Sequence, residues 1–141
     1  MAGFYSKGLE TGLRAVTGVA AAPTGTLKLA FMATTYTQDP EADQFWADIS
    51  ADLASGTTVQ TLASSAVAVD TVNNRVEFDT ADITLSTVTT STDKYVIFMD
   101  TGTPATSPLI ACVDIAEGTL APFSGDLSIT VNSEGHFAIN Y

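Results

Sequence analysis

Apolar and polar positions alternate with a period of two along much of this chain, the repeat of a half-buried β-strand. In residues 75–79, Val76 and Phe78 point one way while Arg75, Glu77 and Asp79 point the other. Residues 26–33 repeat the pattern, with Leu27, Leu29 and Phe31 on one side and Lys28 on the other. One stretch breaks it: Tyr95, Val96, Ile97, Phe98 and Met99 are apolar in succession, and Tyr95, Val96 and Ile97 are aromatic or β-branched. Such a run reads as a strand buried on both faces. Residues 94–99 are therefore the expected central strand, flanked by the hairpin 67–79 on one side and the apolar strand 109–115 on the other.

Further strands are expected at residues 57–63 (weak), 66–71 and 83–88. A last pair, 127–131 and 136–141, is expected to form a hairpin closed by 132–135. Asn73 and Asn74 suit a tight turn before Arg75, and Gly135 suits positive φ. Residues 100–108 and 116–125 read as loops by their Gly and Pro content. Asp39 followed by Pro40 suits a helical start, and residues 45–49 fit one helical turn or a short edge strand. Eight or nine short strands with hardly any helix predict an all-β domain, a small β-sandwich, jelly-roll-like or a partly open barrel.

Residues 1–25 differ from the rest. Phe4, Leu9, Leu13 and Val16 fall near helical spacing, while Gly8, Gly12 and Gly18 each weaken a helix by about 1 kcal/mol relative to Ala. So short a helix is marginal on its own in water. Two readings stay open: an arm ordered on docking to a partner, or a short helix lying on its own sandwich. The expected division is an N-terminal helical or extended arm, 1–25, and a β-sandwich domain, 26–141.

Composition narrows the function classes. The 141 residues suit one core, and only 15% are charged, against about 25% in an average domain. The formal net charge is −11, from 16 acidic and 5 basic side chains. Phosphate backbones and anionic lipid surfaces would repel such a chain, so neither nucleic acid nor membrane is an expected partner. No window reaches the roughly 18–20 apolar residues of a membrane helix, and the first residues lack the pattern of a signal peptide. Cys112 is the only cysteine, which excludes an intrachain disulfide, and its apolar strand makes it a small buried hydrophobe. The chain is expected to be made in soluble form in a reducing compartment.

Candidate chemistry is sparse. His136, the only histidine, has no partners at metal-ligand spacing and no Gly-x-Ser-x-Gly elbow accompanies it, so a polar rim position is expected. Asp70, Glu77, Asp79 and Asp82 cluster around one hairpin, and Asp39, Glu41 and Asp43 in another loop; neither set has the spacing of an EF-hand. Asp100-Thr101-Gly102 follows an apolar strand as the catalytic triplet of aspartic proteases does, but a shared-proton pair needs a second copy. A turn in which Asp100 accepts from backbone amides is the expected role. No catalytic residue, metal or cofactor is assigned.

Several runs carry a resemblance: Phe4-Tyr5-Ser6-Lys7-Gly8-Leu9, Lys28-Leu29-Ala30-Phe31-Met32, Tyr36-Thr37 and Phe45-Trp46-Ala47-Asp48-Ile49. Asn74-Arg75-Val76-Glu77-Phe78-Asp79 and Ala105-Thr106-Ser107-Pro108-Leu109-Ile110 are the most specific pair. Together the chain resembles a family of small virion structural proteins of tailed bacteriophages, departing from it at residues 15–23, where a small-residue run replaces an acidic, aromatic segment. The resemblance implies a non-enzymatic capsid decoration (cement) protein on the capsid exterior. It would bind the major capsid protein and self-associate, a trimer being one form. The alternative is a tail, baseplate or fibre-associated β-module binding host-surface carbohydrate. Expected contact residues are Phe4, Tyr5, Leu9 and Leu13 of the arm with Phe45 and Trp46, because aromatic and apolar anchors dominate interfaces; for Trp46 the competing reading is a cap on the core.

Overall fold

The structure, a computed structural model, describes residues 2–131 and 135–140. Its strands are β1 (Ala2–Phe4), β2 (Thr26–Ala33), β3 (Gln60–Thr61), β4 (Ala66–Asp70), β5 (Arg75–Asp79), β6 (Ile83–Val88), β7 (Thr92–Asp100), β8 (Leu109–Asp114), β9 (Phe123–Ile129) and β10 (Phe137–Asn140). Two α-helices accompany them, α1 (Ser6–Val16) and the single turn α2 (Trp46–Ile49). The domain is all-β. Among the described residues its strands form three separate sheets, with orders β1-β8-β7-β2-β3, β10-β5-β4 and β6-β9, every pair antiparallel.

The apolar run predicted as the central strand is β7, third in the five-stranded sheet. Val96, Ile97 and Phe98 are buried. Alternation along β7 sends neighbouring residues into two different cores. Val96 and Phe98 join Tyr5, Ala30, Met32, Tyr36, Ile49, Leu109 and Cys112 on one face. Ile97 joins Leu29, Phe31, Ile83, Leu85 and Val88 on the other, where Phe78, Phe137, Phe123 and Ile129 of the small sheets pack over them. Each side chain so buried favours the fold by about 1.5–3 kcal/mol, which is why an uninterrupted apolar run sits here.

Three expectations are corrected. The hairpin β4–β5 does not flank β7; β2 does, in register from Thr26↔Asp100 to Ala33↔Thr92. A nine-residue strand apolar on both faces takes the long β2 as its neighbour, whereas the five-residue hairpin, apolar on one face, serves as a cover. The last two strands do not pair with each other: β9 pairs with β6 and β10 with β5. Of the turn expected between them, residues 132–134 lie outside the described residues, while Gly135 has φ +77°. The helical turn begins at Trp46 and not near Asp39, because Asp39 Oδ1 accepts from the amides of Glu41 and Ala42 and closes a separate turn. Asp48 Oδ2 accepts from the amides of Gln44 (3.0 Å) and Phe45 (2.8 Å) and so fixes where α2 starts.

The first residues are part of the body. β1 pairs with β8 through Ala2↔Val113, Gly3↔Cys112 and Phe4↔Ala111. Tyr5 is 0% exposed, its amide bonded to the Ile110 carbonyl. From Ser6 the chain turns into α1, whose start lies against β8: a Cβ on Gly8 would stand 2.6 Å from the Leu109 carbonyl oxygen and 2.8 Å from Ile110 Cα. The helix ends at Val16, and Gly18, just past it, has φ +72°. There the Gly18 amide donates to Ala15, and the amides of Val19 and Ala20 to Arg14. Gly18, one of the three glycines read as helix weakeners, thus lies outside the helix and supplies the left-handed residue that follows its Thr17 cap.

Candidate interaction surfaces

The six residues expected to make contacts separate into inside and outside. Tyr5 is withdrawn from the set: its hydroxyl lies 2.7 Å from that of Tyr36, which donates to Asp43 Oδ2 at 2.8 Å, so Tyr5 donates to Tyr36. Burial raises both phenols well above their ordinary value, and the hydrogen bond to Tyr36 adds to the rise at Tyr5. Phe4 is half-buried and packs edge-on against Phe137 with ring centroids 5.0 Å apart. Trp46 is half-buried and stacks on Phe98 at 4.6 Å and 4°, which is the core-capping role. Phe45 is half-buried, with Lys7 Nζ 5.6 Å from its ring centroid.

Leu9 and Leu13 are outside. With Val16 they repeat at helical spacing on α1, and none of the eleven residues of that helix is buried. Leu13 is 68% exposed and Val16 87%. An amphipathic helix normally turns such a stripe toward its own core. Here Gly8 makes the close approach to β8, and the leucines face solvent. Lys7, Glu10 and Arg14 share the helix, Glu10 lying 2.9 Å from Lys7 and 3.5 Å from Arg14. Those neighbours hold the Glu10 carboxyl below the usual range, the Lys7 hydrogen bond first. With two cations and one acid, α1 is a net-positive element in a chain of net charge −11.

A second apolar surface went unread in the sequence. Val67 and Val69 of β4 are 70% and 62% exposed, and Val72 at the hairpin tip and Ile139 of β10 are exposed too. Register puts Val69, Val76 and Ile139 in one row across the small sheet, and Val67, Phe78 and Phe137 in the next. Phe78 and Phe137 reach the core, while the valines of β4 overhang it. The alternation was visible in the sequence, but it gives no sign of where the supporting layer ends.

Among the polar clusters, His136 is buried and not on a rim. Its Nε2 lies 2.7 Å from Thr80 Oγ1 and its Nδ1 2.9 Å from the Tyr95 hydroxyl. Thr80 Oγ1 donates to the Ala81 carbonyl at 3.1 Å, so it accepts from Nε2–H, and Tyr95 donates to Nδ1. A threonine that accepts from the imidazole is not activated as a nucleophile; the triad stitches β10, β7 and the end of β5 together. Burial pushes the His136 pKa down, partly offset by the Asp79 charge. The cluster borders a cleft of about 540 Å³ that Phe31, Ile83, Leu120 and Ile129 make largely apolar.

Most of the acidic residues that invited a metal reading have structural partners. Asp70 Oδ1 accepts from the amides of Val72 and Asn73, and Arg75 Nε lies 3.3 Å from Asp70 Oδ2 and 2.6 Å from Glu77 Oε1. Asp43 Oδ2 accepts from the Asp39 amide as well as from Tyr36. Asp100 accepts from the Gly102 amide at 2.9 Å and pairs with Lys28 at 2.6 Å, which holds its carboxyl below the usual range. The triplet is therefore a turn, with Gly102 at φ +87°. Cys112 is buried, which pushes its thiol up to about 11. No family model, no curated protein and no solved structure matches the chain.

Proposed function

We propose that this chain is a non-enzymatic structural protein of a tailed-bacteriophage virion, a capsid decoration protein that binds the outside of the major capsid lattice and stabilises the mature head. The observation that carries this reading is the outward stripe Leu9-Leu13-Val16 on α1. A helix held against a folded β body at its N-terminal end, through Tyr5, Ser6 and Gly8, with its leucines in solvent, has the form of an anchor awaiting a partner. The motif resemblance to phage virion proteins supplies the kind of partner. A protein that binds the assembled lattice and not its free subunits shifts the equilibrium toward intact shell, and many copies multiply a modest contact. The acidic body is no handicap outside the shell, away from the packaged DNA.

The test is cosedimentation of the purified chain with mature, undecorated capsids of the parent phage, counting copies per particle. Saturation at hundreds of copies is the expected result. A Leu9→Asp/Leu13→Asp variant is expected to keep the wild-type melting curve, because α1 buries no side chain, and to lose particle binding. No binding to heads, or binding at only a handful of copies, would replace this reading with the tail, baseplate or fibre alternative.

A further inference from the structure

The small sheet β10-β5-β4 ends in an edge that nothing in the described residues covers. β4, Ala66-Val67-Ala68-Val69-Asp70, pairs only with β5, in unbroken register from Ala66↔Asp79 to Asp70↔Arg75. Natural edges are guarded by proline, lysine, bulges or extreme shortness. Three of the other edges carry such guards: β1 has three residues, β3 has two, and the β6–β9 pair shifts register between Leu85 and Thr87; β10, the opposite edge of the same sheet, is four residues long and carries the exposed Ile139. β4 has none of them. Its two valines are also among the most exposed apolar side chains of the described chain.

We propose that β4 is a self-pairing edge, joining two copies of this chain antiparallel about a two-fold axis at Ala68 into one continuous six-stranded sheet.

A second copy fits this edge better than an unrelated strand because the sequence is self-complementary about Ala68. The two-fold register sets Val67 opposite Val69 of the other copy twice, and Ala66 opposite Asp70 twice. The apolar rows of the two sheets become continuous across the join. No like charges face each other: the only charged side chain of β4, Asp70, meets an alanine and already has Arg75 and two backbone amides as partners. Cross-strand β-branched pairs are favourable, and pairing satisfies the outward N–H and C=O groups of both strands. A five-residue edge buries less than a standard interface, so the pairing is concentration-dependent, and the net charge of −11 on each copy opposes it. Salt therefore strengthens this dimer, the opposite of its effect on a contact between opposite charges.

This inference rests on β4 alone and stands or falls independently of the virion reading, because its test uses the isolated full chain. Sedimentation equilibrium over a range of concentrations is expected to show monomer and dimer of the 14.6 kDa chain, with the dimer fraction rising with sodium chloride. Val67→Lys/Val69→Lys places lysine opposite lysine twice and is expected to raise the dissociation constant at least about tenfold, with circular dichroism and melting temperature unchanged. Val67→Lys/Val69→Glu places lysine opposite glutamate twice and is expected to restore the dimer. Ala68→Cys, on the axis, is expected to form a disulfide-linked dimer on mild oxidation, whereas Val72→Cys, at the far tip, does not; the buried Cys112 does not compete. A wild-type chain that stays monomeric at every concentration overturns the proposal. So does a folded double-lysine variant that dimerises like wild type, or cross-linking at Val72→Cys in preference to Ala68→Cys.

Discussion

His136 shows how a single side chain acquires a role that its neighbours in sequence do not announce. Its hydroxyl partners, Thr80 and Tyr95, are 56 and 41 residues away along the chain. The network admits one tautomer, with the proton on Nε2, and a second proton on Nδ1 would face a phenol now acting as donor. Burial and this arrangement both favour the neutral ring. The pKa is lowered in the folded state, so the unfolded chain takes up the proton first. Stability from this residue is therefore undiminished above about pH 6.5, the unperturbed histidine value, and falls as pH drops below it until the folded ring titrates too. The expected outcome is a melting temperature that declines between pH 7 and pH 5, with a shallower decline in His136→Asn, measured by calorimetry in the same buffers. Equal slopes in the two proteins would show that the triad does not couple to folding. The residues that were legible from sequence carry local signals: Asn74 and Gly135 at positive φ, Asp100 bonding the Gly102 amide, Cys112 inside an apolar strand. His136 was read as a rim residue because its partners are brought by the sheets.

At the scale of elements, α1 is a helix whose own side chains do little to hold it. Eleven residues are too few for a stable helix in water, and none is buried. What fixes it is its attachment at the N-terminal end: Tyr5 plugged into the core, the Ser6 amide on the Pro40 carbonyl at 3.0 Å, and Gly8 against Leu109 and Ile110. Gly8→Val would drive a branched side chain into backbone that cannot yield as a side chain does. The expected cost is about 1–3 kcal/mol by urea denaturation, the usual penalty of overpacking. Val at Gly12 differs: nothing lies within 4 Å of a Cβ there, so only helix propensity changes. An equal loss at the two positions would mean that α1 does not rest on β8. The stripe of Leu9, Leu13 and Val16 was legible from its spacing, but its direction was not, since periodicity says that two faces exist and not which one meets the body. The same gap explains the hairpin β4–β5. Its strands and turn were evident, yet its place in a separate sheet follows from the length match between β2 and β7, which no local pattern encodes.

For the whole molecule, the number of apolar β positions exceeds what the core consumes. Ile97 and Val67 are both β-branched, both in strands and both next to other apolar residues, and sequence pattern treats them alike. The fold separates them. Ile97 is 0% exposed, on a strand flanked by β8 and β2, beneath the small sheets. Val67 is 70% exposed, on an edge beyond the last supporting side chain. An aspartate at Ile97 would be an unpaired charge inside a sheet with no water to solvate it, a cost large against the 5–15 kcal/mol that holds a typical domain together. At Val67 the same aspartate keeps its hydration, and the folded monomer is expected to lose no more than about 0.5 kcal/mol. Thermal melts at low protein concentration, where β4 is unpaired, are expected to show no cooperative transition for Ile97→Asp and a near-wild-type one for Val67→Asp. A melt that collapses in both would place β4 within the cooperative core and leave no overhanging edge for assembly. The expected contrast instead marks Val67 as surplus to folding, and apolar surface that a fold does not need is available for contact with another molecule.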